Sequence, residues 1–375
     1  MIIGQGELSI MDNKKVLILS NHFITLYSFR KELIKKLIEV GSDVYIALPE
    51  SADNKFFVSM GCKVVETAVD RRGINPFKDF LLICKYVNII CKIKPDIILS
   101  YTIKPNIYGS IASRLTRCKQ ICNITGTGAT FLRKSVISEI AKILYKLSVK
   151  TSYKIFFQNN DDKDYFIKHK MVDNNYTVIP GSGVNLDEYP ICKLPSDEEV
   201  NFIFIGRVMN LKGIDQFLEC AKVIKGKYKN TNFYIAGFIE EDRYKDLIDV
   251  YYKLDIVKYI GFQKDIKSWI QKCHCTILPS HGGEGVPNVL LESAAMARVC
   301  IASRISGSKE VIEDGKTGYL FEAGNASDLI SKIENFLSLD YEAKVHMGLA
   351  GRKRVEKEFD RAIVIRTYLN EISNI

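Results

Sequence analysis

The sequence predicts an α/β protein built from two doubly wound units in tandem. Three observations carry that reading. Short Val/Ile/Leu/Phe runs alternate with helical patterns from end to end. The runs are near-continuous, as strands covered by helices on both faces require. The rhythm breaks once, at 179–190, in the segment IPGSGVNLDEYP, which is rich in Pro and Gly and has little periodicity. At 375 residues the chain is also long for a single core.

The first series opens with a strand at 15–20 and a helix at 27–40 that Gly41 ends. Strands follow at 43–49 and 63–68. A helix from Phe77 stops at Pro95, where strand 96–101 begins. A helix from Pro105, strands 120–125 and 154–158, a helix from Asp161 and strand 176–180 complete the half. Beyond the break come strand 200–206, a helix from Lys212, strand 232–237, a helix from Asp242, strand 258–261, a helix from Asp265 and strand 275–279. A helix from Pro287, strands 299–303 and 318–321, and helices to the end finish the chain. The expected domains are 1–185 and 186–355, with a terminal helix at 356–375 crossing back to the first. Two such units leave a cleft between them, and ligands favour the carboxyl ends of the strands. Residues 1–10 read as an extension ahead of the natural start at Met11.

Composition excludes several classes. Apolar content of 47% and charged content of 26% are those of a soluble globular chain. The longest apolar stretch, 77–99, is cut by Lys78, Lys85, Lys92 and Lys94 and does not read as a membrane span. No signal peptide is expected, because the apolar run at 16–19 is too short. The ten cysteines form no CxxC pair and read as reduced thiols of a cytoplasmic protein. Cys273, His274 and Cys275 are adjacent, which suits a tetrahedral metal poorly. The net charge is +9. Basic residues outnumber acidic ones only before Pro190, which points to an anionic partner for that half, nucleic acid or acidic lipid.

Two segments carry chemistry. In FIGRVMNLKGIDQF (204–217) a strand turns into a helix, with Arg207 and Lys212 flanking the turn. Free N–H groups at a helix start and two cations suit about two negative charges, as on a diphosphate. Taken singly, either cation is ordinary strand-end charge, and no P-loop spacing is present. In HGGEGVPNVLLES (281–293) a glycine-rich loop leads through Pro287 into a second helix. Glu284 sits on the loop, close to a sugar held by the phosphate. Glu292 lies about one and a half turns into the helix, among Leu290, Leu291, Ala294 and Ala295. Burial there demands a partner, and a cis-diol such as ribose offers two hydroxyls.

These residues resemble the donor site of family 4 glycosyltransferases, which have the GT-B fold: two Rossmann-like domains facing across a cleft. The block GVPNVLLESAAMARVCIASRISGSKEVIEDGKTGYLFEAGN carries the likeness furthest, over about 180–345. The resemblance implies that Arg207 and Lys212 hold the donor diphosphate and Glu292 the ribose. It implies that Glu284, Gly285, Val286, Pro287 and Asn288 hold the transferred sugar, and that the loop at 261–263, with Phe262, receives the nucleobase. It also implies retention of anomeric configuration, no metal and no cofactor beyond the nucleotide-sugar donor. By analogy with the family, the expected donor is a UDP-sugar.

The first half is similar to a narrower set, bacterial enzymes that extend lipid-linked sugars for O-antigen, capsule, lipopolysaccharide or glycan assembly. SYTIKPNIYGSIASRL (100–115) and NITGTGATF (123–131) carry that likeness. It implies a polyprenyl-diphosphate saccharide as acceptor, with Lys104, Thr125, Gly126 and Thr127 on the acceptor side. Many members have Gly-Gly after the first strand, where this chain has Ser20-Asn21-His22-Phe23. Many have a His where it has Thr125-Gly126-Thr127. The group nearest the reacting carbon is therefore left open, and His22 is a candidate. Asp162-Lys163-Asp164 is a literal DxD, but it starts a helix, where acidic residues suit the N-terminus.

Between Val136 and Lys154 the apolar Ile140, Ile143, Leu144 and Leu147 share a helical face. Lys142, Lys146, Lys150 and Lys154 recur beside it, with Arg133 and Lys134 just ahead. Such a helix suits the anionic inner leaflet of the cytoplasmic membrane, or a core with a solvated outer face. Two other functions fit parts of the pattern. A UDP-sugar 2-epimerase shares the fold and the nucleotide site. A nucleic-acid-binding protein suits the basic half, but no motif or aromatic stacking platform supports it, and nucleic acid is not expected as a partner.

Overall fold

The computed structural model describes residues 14–67, 75–126 and 136–375. The chain divides into two compact units: Met1–Ser182 together with Ala362–Ile375, and Gly183–Arg361.

The first unit holds strands β1 (Lys15–Leu19), β2 (Asp43–Leu48), β3 (Lys63–Glu66), β4 (Ile97–Tyr101), β5 (Lys119–Ile124), β6 (Lys154–Phe157) and β7 (Tyr176–Val178). They form one parallel sheet in the order β3-β2-β1-β4-β5-β6-β7. Its helices are α1 (Phe23–Phe29), α2 (Lys31–Glu39), α3 (Lys55–Ser59), α4 (Pro76–Ile93), α5 (Ile103–Thr116), α6 (Val136–Ser148) and α7 (Asn160–Lys168). Alternate strand residues bury on opposite faces. Val16, Ile18, Ile46 and Leu99 pack with Leu33, Ile34 and Leu37 of α2 and with Tyr368 and Leu369 of the terminal helix. Leu17, Leu19, Ile98 and Phe157 pack with Leu82 and Tyr86 of α4, Ile107 of α5 and Tyr145 of α6.

Two elements depart from the sequence expectation. The helix expected over 27–40 is two helices, broken at Arg30, whose φ is −136°. Arg30 is buried. Its guanidinium lies 4.9 Å from the Tyr101 ring centre and donates to the Phe29 carbonyl at 2.8 Å. The helix is interrupted where the Arg30 side chain turns into the core. The basic helix stops at Ser148 and does not reach Lys154. Val149 is drawn into the core, and Thr151 Oγ1 donates to the Ser148 carbonyl at 2.9 Å, closing a tight last turn. Lys150 pairs with Asp173 at 3.1 Å, and Lys154 begins β6 and pairs with Glu371 at 3.1 Å. Neither continues the lysine row of the helix.

The second unit holds β8 (Val200–Ile205), β9 (Thr231–Ala236), β10 (Lys258–Gly261), β11 (Cys275–Leu278), β12 (Val299–Ser303) and β13 (Gly318–Phe321). These six form a parallel sheet in the order β10-β9-β8-β11-β12-β13. Its helices are α8 (Ile214–Lys227), α9 (Arg243–Lys253), α10 (Ile266–Lys272), α11 (Asn288–Ala295), α12 (Ser308–Val311), α13 (Ala326–Leu337) and α14 (Tyr341–Glu358). The chain then continues as α15 (Arg361–Ser373). The first and last segments of this unit run side by side: Val184 N donates to the Phe359 carbonyl at 2.9 Å, and Arg361 N to the Val184 carbonyl at 3.0 Å. Arg298 is fully buried and spends its donors on carbonyls of Cys192, Lys193, Ile270, Gln271 and Met296 at 2.8–3.2 Å.

In a doubly wound sheet the crevice opens where strand order reverses. In the first unit that point lies between β1 and β4, and in the second between β8 and β11.

Candidate functional site

The loops after β8 and β11, residues 206–213 and 279–287, flank the second unit's switch point. They are the two segments that the sequence singles out. They are packed backbone to backbone. Gly213 has φ +73°, and a Cβ there would stand 1.9 Å from the Pro279 carbonyl oxygen. His281 N donates to the Leu211 carbonyl at 2.9 Å, and its ring Nε2 lies 2.8 Å from Gln216 Oε1. A third segment braces the pair: Gly307, at φ +81°, would put a Cβ 1.6 Å from the Gly285 carbonyl oxygen.

This packing brings Lys212 and Glu284 into an ion pair, with 19% and 18% of the side chains exposed. Ser280 Oγ also donates to Glu284 Oε1, at 3.0 Å. Arg207 is more open and lies 3.8 Å from Glu240. Gly285 and Val286 are buried, and Pro287 caps α11. Asn288 opens that helix, and its Oδ1 is buried and has no hydrogen-bond partner among the described residues. Leu290, Leu291, Ala294 and Ala295 seat α11 on the core. Glu292, on the same helix, is half-buried and faces Tyr189. Burial first, then the Glu292 carboxylate, pushes the Tyr189 phenol up.

Beside this cluster is an apolar pocket of about 290 Å³, lined by Ile205, Gly206, Arg207, Ala236, Gly237, Phe238, Phe262, Gln263 and Ile266. Phe238 and Phe262 stack with ring centres 4.5 Å apart and planes within 9°. Both rings are more than half exposed, so one flat aromatic face is offered at the pocket rim. Sequence reasoning reached Phe262 and missed Phe238, Ser280, Tyr189 and Gly307. The glycine after β9 was the available signal for Phe238, since it marks another strand-end loop.

The first unit's candidates are placed as follows. His22 caps α1, its Nδ1 accepting from Ile24 N at 3.1 Å. In the neutral ring the proton is then on Nε2. Lys104 is mostly buried and pairs with Asp79 of α4 at 2.7 Å, so its charge is spent inside the helix layer. Thr125 is exposed and Gly126 has φ +112°. Thr127, Arg133 and Lys134 lie outside the described residues. Asp162 is buried and exchanges two hydrogen bonds with Asn159, the cap of α7, at 2.7 and 2.8 Å. Asp164 pairs with Lys163 at 3.1 Å. The DxD thus lies in the opening turns of α7, behind the Asn159 cap. All ten cysteines are free thiols. The buried His274 ring takes Asn201 N at 3.1 Å and lies 3.2 Å from the Ser196 carbonyl. Among the described residues no cluster of three or more His, Cys, Asp or Glu could hold a metal ion, and no helix is long and apolar enough to cross a membrane.

Comparison with known proteins gives the chemistry a frame. Residues 191–354 match the family Glycosyl transferases group 1, and residues 15–159 match Glycosyl transferase 4-like. The chain is 26% identical over 372 residues to the N,N'-diacetylbacillosaminyl-diphospho-undecaprenol alpha-1,3-N-acetylgalactosaminyltransferase of Campylobacter jejuni, covering 94% of this chain and 96% of that protein. It is 26% identical over 314 residues to the UDP-Gal:alpha-D-GlcNAc-diphosphoundecaprenol alpha-1,3-galactosyltransferase of Escherichia coli, covering 76% and 80%. Among solved structures, Anabaena Alr3699/HepE in complex with UDP and glucose superposes with a TM-score of 0.80 at 17% identity, covering 97% of this chain and all of the other. That likeness is one of fold, the GT-B arrangement of two Rossmann-like domains. With both halves matched by glycosyltransferase models, the chain is a glycosyltransferase of the GT-B fold.

Proposed function

We propose that this glycosyltransferase moves a hexose or N-acetylhexosamine from a UDP-sugar to a saccharide carried on a polyprenyl diphosphate, with retention at the anomeric carbon. One observation carries the donor half of the reading. The two loops flanking the second unit's switch point join Lys212, Glu284 and the start of α11 beside an aromatic-rimmed apolar pocket. The acceptor half is supported by the Campylobacter and Escherichia relatives, whose names specify diphospho-undecaprenol acceptors.

In this reading the uracil stacks on the Phe238–Phe262 platform and Glu292 accepts from the ribose hydroxyls. Arg207 and Lys212 meet the diphosphate, and the unpartnered Asn288 Oδ1 takes a donor from the sugar. The bond between the anomeric carbon and the β-phosphate oxygen breaks while the acceptor oxygen bonds to the same face of the carbon. The acceptor's proton passes to the departing phosphate. Lys212, Arg207 and the helix start stabilise the negative charge that grows there. Two cations and a helix N-terminus suffice to meet it, so chelators leave the rate unchanged.

The enzyme reaches its acceptor on the inner face of the cytoplasmic membrane, through α6. Ile140, Ile143 and Leu147 of that helix point to solvent, while Tyr145 faces the core. A solvent-facing apolar stripe with lysines beside it suits an anionic leaflet.

The test is a panel of UDP-sugars against a synthetic polyprenyl-diphosphate saccharide, with the product anomer read by NMR. One donor is expected to give a product of unchanged anomeric configuration, with or without EDTA. No heat of binding with any UDP-sugar in calorimetry, or an inverted product, would overturn the reading.

A further inference from the structure

α4 spans eighteen residues and packs on the first unit's sheet through Leu82, Tyr86, Ile89 and Ile90. The face opposite is also apolar. Phe77, Phe80 and Leu81 have 69%, 60% and 50% of their surface exposed, and the exposed Cys84 follows one turn on. Their 3- and 4-residue spacing makes one stripe along the helix. Lys78, Lys85 and Lys92 are exposed and recur every seven residues, so they form a single row along one edge of that stripe. The helix has one acidic residue, Asp79, which is buried and paired with Lys104. Its outward charge is therefore wholly positive.

A solvated outer face does not place two phenylalanines and a leucine together on the helix's first turns. Soluble chains scatter such residues singly. An apolar stripe with a cationic edge matches the section of an anionic leaflet, acyl chains beside phosphate head groups. α5 packs against α4 through the Lys104–Asp79 pair and shares the buried cluster that holds α6, so all three cover one face of the sheet.

We propose that α4 is a second bilayer-contacting element. Phe77, Phe80 and Leu81 enter the boundary between head groups and acyl chains, and Lys78, Lys85 and Lys92 bind lipid phosphates. The inference rests on the reading that α6 meets the same leaflet and extends it from one contact to two. Two contacts fix how the first unit is oriented on the membrane, where one helix leaves it free to roll.

The test uses the full chain and vesicles of phosphatidylglycerol and phosphatidylcholine, beside vesicles of phosphatidylcholine alone. In the Phe80→Trp variant, emission is expected to shift to the blue and to be quenched by lipids brominated near the head group, with anionic vesicles only. The wild type, whose single tryptophan is Trp269 in the second unit, supplies the background. The triple change Phe77→Ser, Phe80→Ser, Leu81→Ser is expected to weaken sedimentation with anionic vesicles about tenfold or more, with unchanged turnover of a detergent-solubilised acceptor. Emission from the Phe80→Trp variant that brominated lipids leave unquenched, or sedimentation of the triple variant equal to wild type, overturns the proposal. If that happens while Ile143→Ser with Leu147→Ser lowers sedimentation, the α6 reading stands alone. If the wild type binds neither vesicle, both fall. A triple variant that turns a dimer into a monomer without changing vesicle binding assigns the stripe to a second copy of this chain, and also overturns the proposal.

Discussion

Replacing Gly307 with alanine tests whether the bracing of the 279–287 loop matters for donor binding, and Gly324 provides the control. The two glycines have φ of +81° and +80°, but a Cβ at Gly324 meets no atom of the described residues within 4 Å, whereas one at Gly307 would lie 1.6 Å from the Gly285 carbonyl oxygen. Left-handed backbone costs alanine about 1–2 kcal/mol. Reduced freedom of the unfolded chain returns about 0.4–1 kcal/mol. Gly324→Ala therefore costs about 0–1.5 kcal/mol. Gly307→Ala bears at least that cost, since its ψ of −47° lies outside the left-handed helical region, and must also drive the carbonyl back by roughly 1.5 Å, an overpacking cost of about 1–3 kcal/mol. The expected gap between the variants is a Tm lower by roughly 2–12 °C for Gly307→Ala. Because Gly285 lies two residues before Pro287, the cap of α11, the displaced loop also shifts the helix start that meets the diphosphate, and UDP affinity by calorimetry falls about tenfold or more for Gly307→Ala alone. Equal melting of the two variants would refute the steric argument. A destabilised Gly307→Ala that binds UDP like wild type would refute the role of the loop.

Other outcomes follow from the same geometry. Lys212→Met should weaken UDP binding by about 1.5–3 kcal/mol, the worth of a charge-assisted hydrogen bond, whereas Glu284→Gln, which releases Lys212 to the phosphate, should keep UDP affinity and lose transfer; a matching loss of affinity in both would contradict this division of labour. Phe262→Ala should cost about 1–3 kcal/mol of nucleotide affinity with an unchanged Tm, since the ring is more than half exposed; unaltered affinity in calorimetry would remove the base from this pocket. Arg298→Met leaves five carbonyls without their donor, and urea melts should show a loss of about 3–5 kcal/mol. Burial holds His274 below its ordinary pKa, opposed by Asp197 and reinforced by Lys344 and Arg298. Its contribution is complete above about pH 6.5 and is lost as pH falls toward the lowered value, because the unfolded chain takes the proton first. His274→Gln should flatten the acid side of a stability–pH curve, and an unchanged slope would show that other groups set it.

Much of the fold was legible because both sheets are parallel and covered. Their strands read as unbroken apolar runs, and the β8 and β11 loops announced themselves by glycine, proline and charge in a helix-start setting. What escaped depends on partners far apart in sequence. Arg30 breaks a helix because Tyr101 lies across the core from it, and no local pattern carries that. The resemblance puts Lys104 on the acceptor side, but Asp79, 25 residues earlier, pairs with its charge. The α6 stripe was legible as apolar but not as outward-facing, since periodicity gives the face and not its direction. Phe238 acquires meaning only when β9 and β10 align and bring it over Phe262.

The terminal helix has a consequence for how the protein is made. Tyr368 of α15 hydrogen-bonds Asn123 of β5, and its ring packs at 4.9 Å against Phe156 of β6. The first unit is thus closed by residues that are synthesised after the whole second unit. At about 5–20 residues per second, the ribosome adds the whole second unit, over roughly 10–40 s, before that plug exists. Until then Arg30 and the strand face around Ile18 and Leu99 lack their cover, so the nascent first half is the stage at which a chaperone or an aggregating neighbour meets this protein. A nonsense change between Arg361 and Tyr368 would strand the chain at that stage, although every donor-site residue had already been made.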